Sequence, residues 1–157
     1  MGTSTDAILA YGYDLGGPED EWRVEQLNDD GELQLDWFNP EADDADFVEA
    51  AAGQLLTAAG FTETDYKAAG YFARKRTAQE RIGVEFNSYC SGDYPLFLIA
   101  TKRITVARGH IAQLDLAALA AEVKTNGWDD KLHAALTVLG LTPKQDKPGW
   151  LLCSYWG

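Results

Sequence analysis

The sequence predicts an α+β fold: one mostly antiparallel sheet with three or four helices packed on it, in a single globular domain over residues 1–157. Three observations predict it. Short apolar runs of period two are interspersed with longer segments of period 3.6. Gly and Pro clusters separate them, with no internal repeat, low-complexity tract or linker between. At 157 residues, with 46% apolar side chains and eighteen aromatics, one core is the default, and about 68–70% of the unfolded chain's surface is buried on folding.

Taken in order, Ala7–Tyr13 reads as a buried strand that ends in the turn Asp14-Leu15-Gly16-Gly17-Pro18. Glu21–Leu27 and Glu32–Phe38 alternate on either side of Asn28-Asp29-Asp30-Gly31 and predict a hairpin. A helix is predicted from Asp43 or Asp44 to Ala59: Phe47, Val48, Ala51, Leu55 and Ala58 recur at helical spacing, and Gly60 stands at the C′ place. Thr62-Glu63-Thr64-Asp65 resembles a capping box ahead of a segment from Asp65 to Arg81. That segment reads as helix, although Gly70 beside Tyr71-Phe72 also suits a strand. Val84–Cys90 alternates as a half-buried strand with Val84, Phe86, Ser88 and Cys90 on one side. Leu96–Ala100, extending toward Val106, reads as a central strand. Asp115 caps a helix through Lys124, Trp128–Leu139 forms another ended by Gly140, and Trp150–Trp156 is a final strand.

Charge divides the chain unequally. Residues 1–50 hold fifteen Asp/Glu and one basic residue, Arg23, a net −14, whereas the remainder holds ten acids and twelve bases, a net +2. Such a field steers cationic partners and repels phosphate, so direct nucleic-acid binding through that end is disfavoured. No apolar run approaches the roughly 20 residues that span a bilayer. The first residues lack the basic and apolar regions of a signal peptide. Two cysteines do not make a disulfide framework, so the expectation is a cytoplasmic protein with no membrane partner.

Catalytic motifs are incomplete. Cys90 and Asp93, in the stretch Asn87–Pro95, together with His110, are the candidates for a thiol nucleophile, its base and an orienting carboxylate. The plainer reading is a hairpin of turn formers in which Cys90 is a small core residue. Glu41, Asp43, Asp44 and Asp46 are dense enough to attract a divalent cation. A calcium loop fails, however: with Gly31 as its central glycine, the closing position falls on Trp37. Cys90, His110, His133 and Cys153 lack zinc-finger spacing. Gly12, Gly16 and Gly17 do not complete a nucleotide loop. No cofactor or metal is expected.

Between Lys67 and Arg108 stand eight Lys/Arg against three Asp/Glu. They could form a nucleic-acid face, or simply compensate the acidic third within the molecule. The ending Trp150–Trp156 is apolar on both faces, which suits a sheet centre, a homodimer contact or a partner groove.

The opening Tyr11-Gly12-Tyr13-Asp14-Leu15-Gly16-Gly17, the hairpin Cys90-Ser91-Gly92-Asp93-Tyr94-Pro95 and the ending Pro148-Gly149-Trp150-Leu151-Leu152 resemble uncharacterised small acidic proteins of actinobacteria and their bacteriophages. The likeness spans most of the chain. It implies a source and a context, and no catalytic or binding residue carries over, because that group has no established activity.

The functional expectation is therefore a non-enzymatic interaction protein. Its docking surface would comprise three acidic clusters: Glu19, Asp20 and Glu21; Asp29, Asp30 and Glu32; Glu41, Asp43, Asp44 and Asp46. The partner would be a basic host protein, engaged in the manner of a phage-type inhibitor or nucleic-acid mimic. Two alternatives remain open. One is a small-molecule site or Cys-dependent enzyme at residues 87–95; the other is a virion or scaffold component assembling through the C-terminal strand.

Overall fold

A computed structural model of the chain describes residues 4–157. Its first strand, β1 (Thr5–Gly16), is longer than the apolar run that predicts it. The extension arises because β1 pairs on both sides, with β3 (Pro95–Ala107) and with β4 (Gly149–Trp156), both antiparallel. Polar residues at its ends are held through their backbone, whatever their side chains prefer. β2 (Glu85–Ser91) pairs antiparallel with β3, and its last two residues, Cys90 and Ser91, pair in parallel with Tyr155 and Trp156. That short parallel contact closes the sheet into a barrel of order β1-β3-β2-β4.

The closure is steep. A walk along paired residues runs Pro95–Cys90–Tyr155–Asp6–Ala107 and returns to β3 twelve residues from its start. Stagger, tilt and diameter are linked in a barrel. So large a stagger tilts the strands strongly and widens a barrel that four strands alone would leave pinched shut. The residues facing inward are small or slender: Ile8, Ala10, Leu98 and Ala100, with Tyr89, Cys153 and Tyr155 packed on them. Gly12 lies at a register shift between β1 and β3, where a Cβ would stand 1.8 Å from the carbonyl oxygen of Ile99. Only glycine fits that approach.

The helices pack outside. α1 (Phe47–Ala58) and α4 (Trp128–Leu139) bury Phe47, Ala51, Leu55, Trp128, Leu132 and Leu139 against Tyr11, Leu15 and Ile99. Trp22, Val24 and Leu33 join the same core, so the acidic third is part of this body. α3 (Leu116–Thr125) starts at the predicted cap, where the Asp115 carboxylate accepts from Ala118 N at 3.0 Å.

Three sequence readings differ from the structure by more than a shift of a residue or two at an end. α1 starts after Asp46, whose carboxylate accepts from Glu49 N at 3.0 Å, and not after Asp43 or Asp44. Several consecutive acids can each cap a helix; burial of Phe47 selects the one beside it. α2 (Tyr71–Ile82) is a helix, as favoured, yet it begins six residues later than Asp65. The Asp65 carboxylate closes only a local turn on Lys67 N, and Gly70 then takes a left-handed φ of 77°. The predicted hairpin at 21–38 has its turn, with Asn28 N donating to Glu32 O at 2.9 Å, but no ladder. Its arms touch through the single bridge Leu27↔Leu33, with Gln34 N donating to Gln26 O at 2.9 Å, while Leu35↔Phe38 closes a turn within the second arm. The first arm spends its backbone elsewhere: Glu25 N donates to Thr142 O and Lys144 N to Arg23 O, both at 2.9 Å. Among the described residues no helix is long and apolar enough to cross a membrane.

Candidate functional site

The acidic clusters are surface features, and their side chains have different partners. Asp20 pairs with Arg23 at 3.0 Å and Glu21 with Lys144 at 2.8 Å. The Lys144 hydrogen bond holds the Glu21 carboxyl below its ordinary range. Asp29, Asp30 and Glu32 form the hairpin tip, tied by the Asn28 amide oxygen, which accepts from Asp30 N and Glu32 N. Glu41, Asp43 and Asp44 are exposed in the turns before α1. Of the fifteen acids in residues 1–50, three (Asp14, Asp20 and Glu21) pair with a cation, so twelve have none among the described residues.

Two of the clusters meet. A groove of about 570 Å³ lies between the turn after β1 and the start of α1, with Glu19 and Asp46 among its walls. Trp22, Phe38, Phe47 and Phe97 also line it. The Phe47 ring centroid is 5.0 Å from Trp22, 5.7 Å from Phe38 and 5.6 Å from Phe97. The arrangement is an aromatic floor with carboxylates at the rim, which suits a cation whose stem is apolar. The sequence reading found the carboxylates and missed the floor. Its one sequence signal is the placing of Trp22 and Phe38 within four residues of Pro18 and Pro40, where the chain must turn back on itself.

The 87–95 stretch divides between two environments. Tyr89 points into the barrel, where its hydroxyl donates to Asp14 Oδ1 at 2.7 Å and accepts from Arg23 Nη1 at 3.0 Å. The same guanidinium donates to Asp14 Oδ2. Burial, and then the Asp14 hydrogen bond, push the Tyr89 hydroxyl far above its ordinary range. Cys90 is exposed, not a core residue, because at φ 74° it turns out of the alternation of Val84, Phe86 and Ser88. Its left-handed backbone marks the place where β2 stops pairing with β3 and begins pairing with β4. Tyr94 and Asp93 are exposed at the turn.

Cys90, Asp93 and His110 are not brought into contact. Cys90 and Asp93 lie at the turn between β2 and β3, where Cys90 pairs with Pro95, whereas His110 follows Ala107 at the other end of β3. No hydrogen bond joins the three among the described residues, and none holds a group of three or more His, Cys, Asp or Glu fit for a metal ion. The basic cluster is partly neutralised: Arg74 makes a two-pronged contact with Glu63 at 2.7 and 2.8 Å, and Lys102 lies 3.5 Å from Glu122. The C-terminal strand serves two roles, with Trp150 packed on Tyr11 and Trp128 while Leu152 and Trp156 are exposed.

Comparison with known proteins finds no matching family model, no matching curated protein and no matching solved structure.

Proposed function

We propose that the chain is a non-enzymatic interaction protein whose acidic N-terminal third docks on a basic face of another protein. The observation that carries this reading is the groove at Glu19 and Asp46, where two acidic clusters converge over Trp22, Phe38, Phe47 and Phe97. An Arg or Lys side chain entering it meets ring faces below and carboxylates above. Each such contact contributes about 0.5–1 kcal/mol when exposed and about 2 kcal/mol when desolvated. The twelve carboxylates without a cation supply the long-range field that brings the partner in. Where the partner's face ordinarily holds nucleic acid, the chain competes as a mimic, in the manner of a phage-type inhibitor acting in the host cytoplasm.

The test is capture of partners from an actinobacterial lysate by the intact chain at low and at high salt. The expected result is one basic or nucleic-acid-handling protein, retained at low salt only. It is lost when Asp43, Asp44 and Asp46 become Asn, and its association rate falls steeply with ionic strength. A tight partner whose affinity ignores salt, or one held equally by the triple variant, overturns the reading.

A further inference from the structure

A second cavity, of about 330 Å³, opens at the mouth of the barrel and is lined by residues of all four strands. Asp6 and Ile8 line it from β1, Asn87 from β2 with its neighbours Phe86 and Ser88 at the edge, Arg103 and Thr105 from β3, and Tyr155 from β4. The register explains why they converge. Ile8, buried in the barrel, stands opposite Thr105, and Asp6, on the same face of β1, stands opposite Tyr155.

Three features of these groups point to a ligand. Asn87 is the one buried polar residue among those described, 3% exposed, and neither its Oδ1 nor its Nδ2 has a hydrogen-bond partner. A buried amide left so costs about 1–3 kcal/mol per group, so a native protein needs a reason to keep it. Asp6 has no ion pair or side-chain hydrogen bond among the described residues. Arg103 has only Glu85, at 4.0 Å. Opposite charges thus share one cavity without neutralising each other, beside an amide whose donor and acceptor are both without a partner.

We propose that this cavity binds a small zwitterion of amino-acid size whose side chain ends in a carboxamide. The ligand's carboxylate faces Arg103 and its ammonium faces Asp6. Its carboxamide pairs with the Asn87 amide, since each amide can donate to and accept from the other. A simple anion meets Asp6 and the net charge of −12, and a simple cation meets Arg103; a zwitterion satisfies both. The volume lies at the small end of ligand pockets, and a barrel mouth is a preferred place for one. The role is binding: the thiol inside the barrel, Cys153, does not line the cavity, and burial followed by the Asp14 charge pushes it up, away from thiolate.

The inference is independent of the acidic face, and its test uses the full chain labelled with nitrogen-15. L-glutamine and L-asparagine are titrated in, with L-leucine as a zwitterion lacking the amide and acetamide as an amide lacking the charges. The expected result is a saturable shift of the Asn87 side-chain signals with glutamine or asparagine, no saturation with acetamide, and weaker binding of leucine. Arg103→Gln and Asp6→Asn each weaken binding about tenfold or more, the size of one charge-assisted contact. Asn87→Leu, checked for fold by circular dichroism, binds glutamine and leucine alike. The proposal is overturned if none of the four probes moves the Asn87 signals at millimolar concentration. Binding untouched by both charge-removing variants overturns it as well.

Discussion

Alternate residues of the same strands build the two sides of the barrel wall, and the two sides bury different things. Outside, Tyr11, Trp22, Phe47, Phe97, Trp128 and Trp150 form one continuous aromatic core with α1 and α4. Inside, four small aliphatic residues are accompanied by the Asp14–Arg23–Tyr89 network and by an unpaired amide. The difference teaches where stability and recognition reside. Apolar area on the outer side offsets most of the cost of ordering the chain, which leaves the inner side free to hold polar groups.

The largest test of that division is Phe47→Ala. Phe47 is buried and touches Trp22, Trp37, Phe38, Phe86 and Phe97, so its loss opens a cavity at the centre of the outer core. The expected loss is about 3–5 kcal/mol in urea unfolding. A loss under about 1 kcal/mol, the value of a surface residue, would mean that the outer side is not the stabilising one.

Alkali should unfold the protein through both sides at once. Burial, with the Asp129 hydrogen bond, pushes the outer Tyr11 up to about 12, while burial also raises Tyr13 and, more strongly, the inner Tyr89. In the unfolded chain these phenols ionise near pH 10, so between pH 10 and 12 the unfolded state binds fewer protons than the native one. Stability is therefore held below pH 10 and falls as pH rises through that window. Urea midpoints measured from pH 8 to 12 should show the drop, and Tyr11→Phe should make it shallower. A midpoint that stays level to pH 12 contradicts the burial assigned to these groups.

On the inner side, Asp14→Ala removes the acceptor of both Arg23 and Tyr89. The expected cost is about 1.5–3 kcal/mol, the range for hydrogen bonds to a charged group. Spectroscopic titration gives a second readout: without the Asp14 charge and hydrogen bond, Tyr89 should ionise at lower pH. No change in either quantity would show that the network is ornamental.

How much of this was legible in the sequence follows from where the determining contacts lie. Trp128–Leu139 and its stop at Gly140 are set by local periodicity and a local cap, and the sequence reading has them residue for residue. Asp43, Asp44 and Asp46 are equally good caps until tertiary burial of Phe47 chooses among them. Barrel closure depends on Cys90 and Ser91 meeting Tyr155 and Trp156, a pairing some 65 residues apart in sequence that leaves no local pattern. The same closure sets Asn87 facing Asp6, Arg103 and Tyr155 across four strands, so the mouth cavity could not be read in advance. The acids of the groove were visible as composition, whereas its floor depends on Phe97 of β3 reaching Trp22 and Phe47.

Smaller in effect, Asn87→Leu should stabilise the protein by about 1 kcal/mol, because it removes two unsatisfied polar atoms with little change of volume. The sign matters more than the size. A stabilised variant supports the view that the amide is kept for recognition; a destabilised one shows that it has a structural partner in solution and withdraws the main support for a ligand there.

Least change is expected from Leu152→Lys, which probes a stretch where the outer wall is bare. Tyr11 and Trp150 lie under α4 through Trp128, but one turn of the register away Leu9 stands opposite both Leu152 and Ile104, and Leu152 is 78% exposed. A lone exposed leucine contributes nothing to a monomer's stability, so the variant should unfold within about 0.5 kcal/mol of the parent. Sedimentation of both proteins at matched concentration completes the measurement. An unchanged monomer mass leaves the bare stretch as solvated sheet, whereas a larger species in the parent that the substitution abolishes would show that a second copy covers the wall where the helices do not.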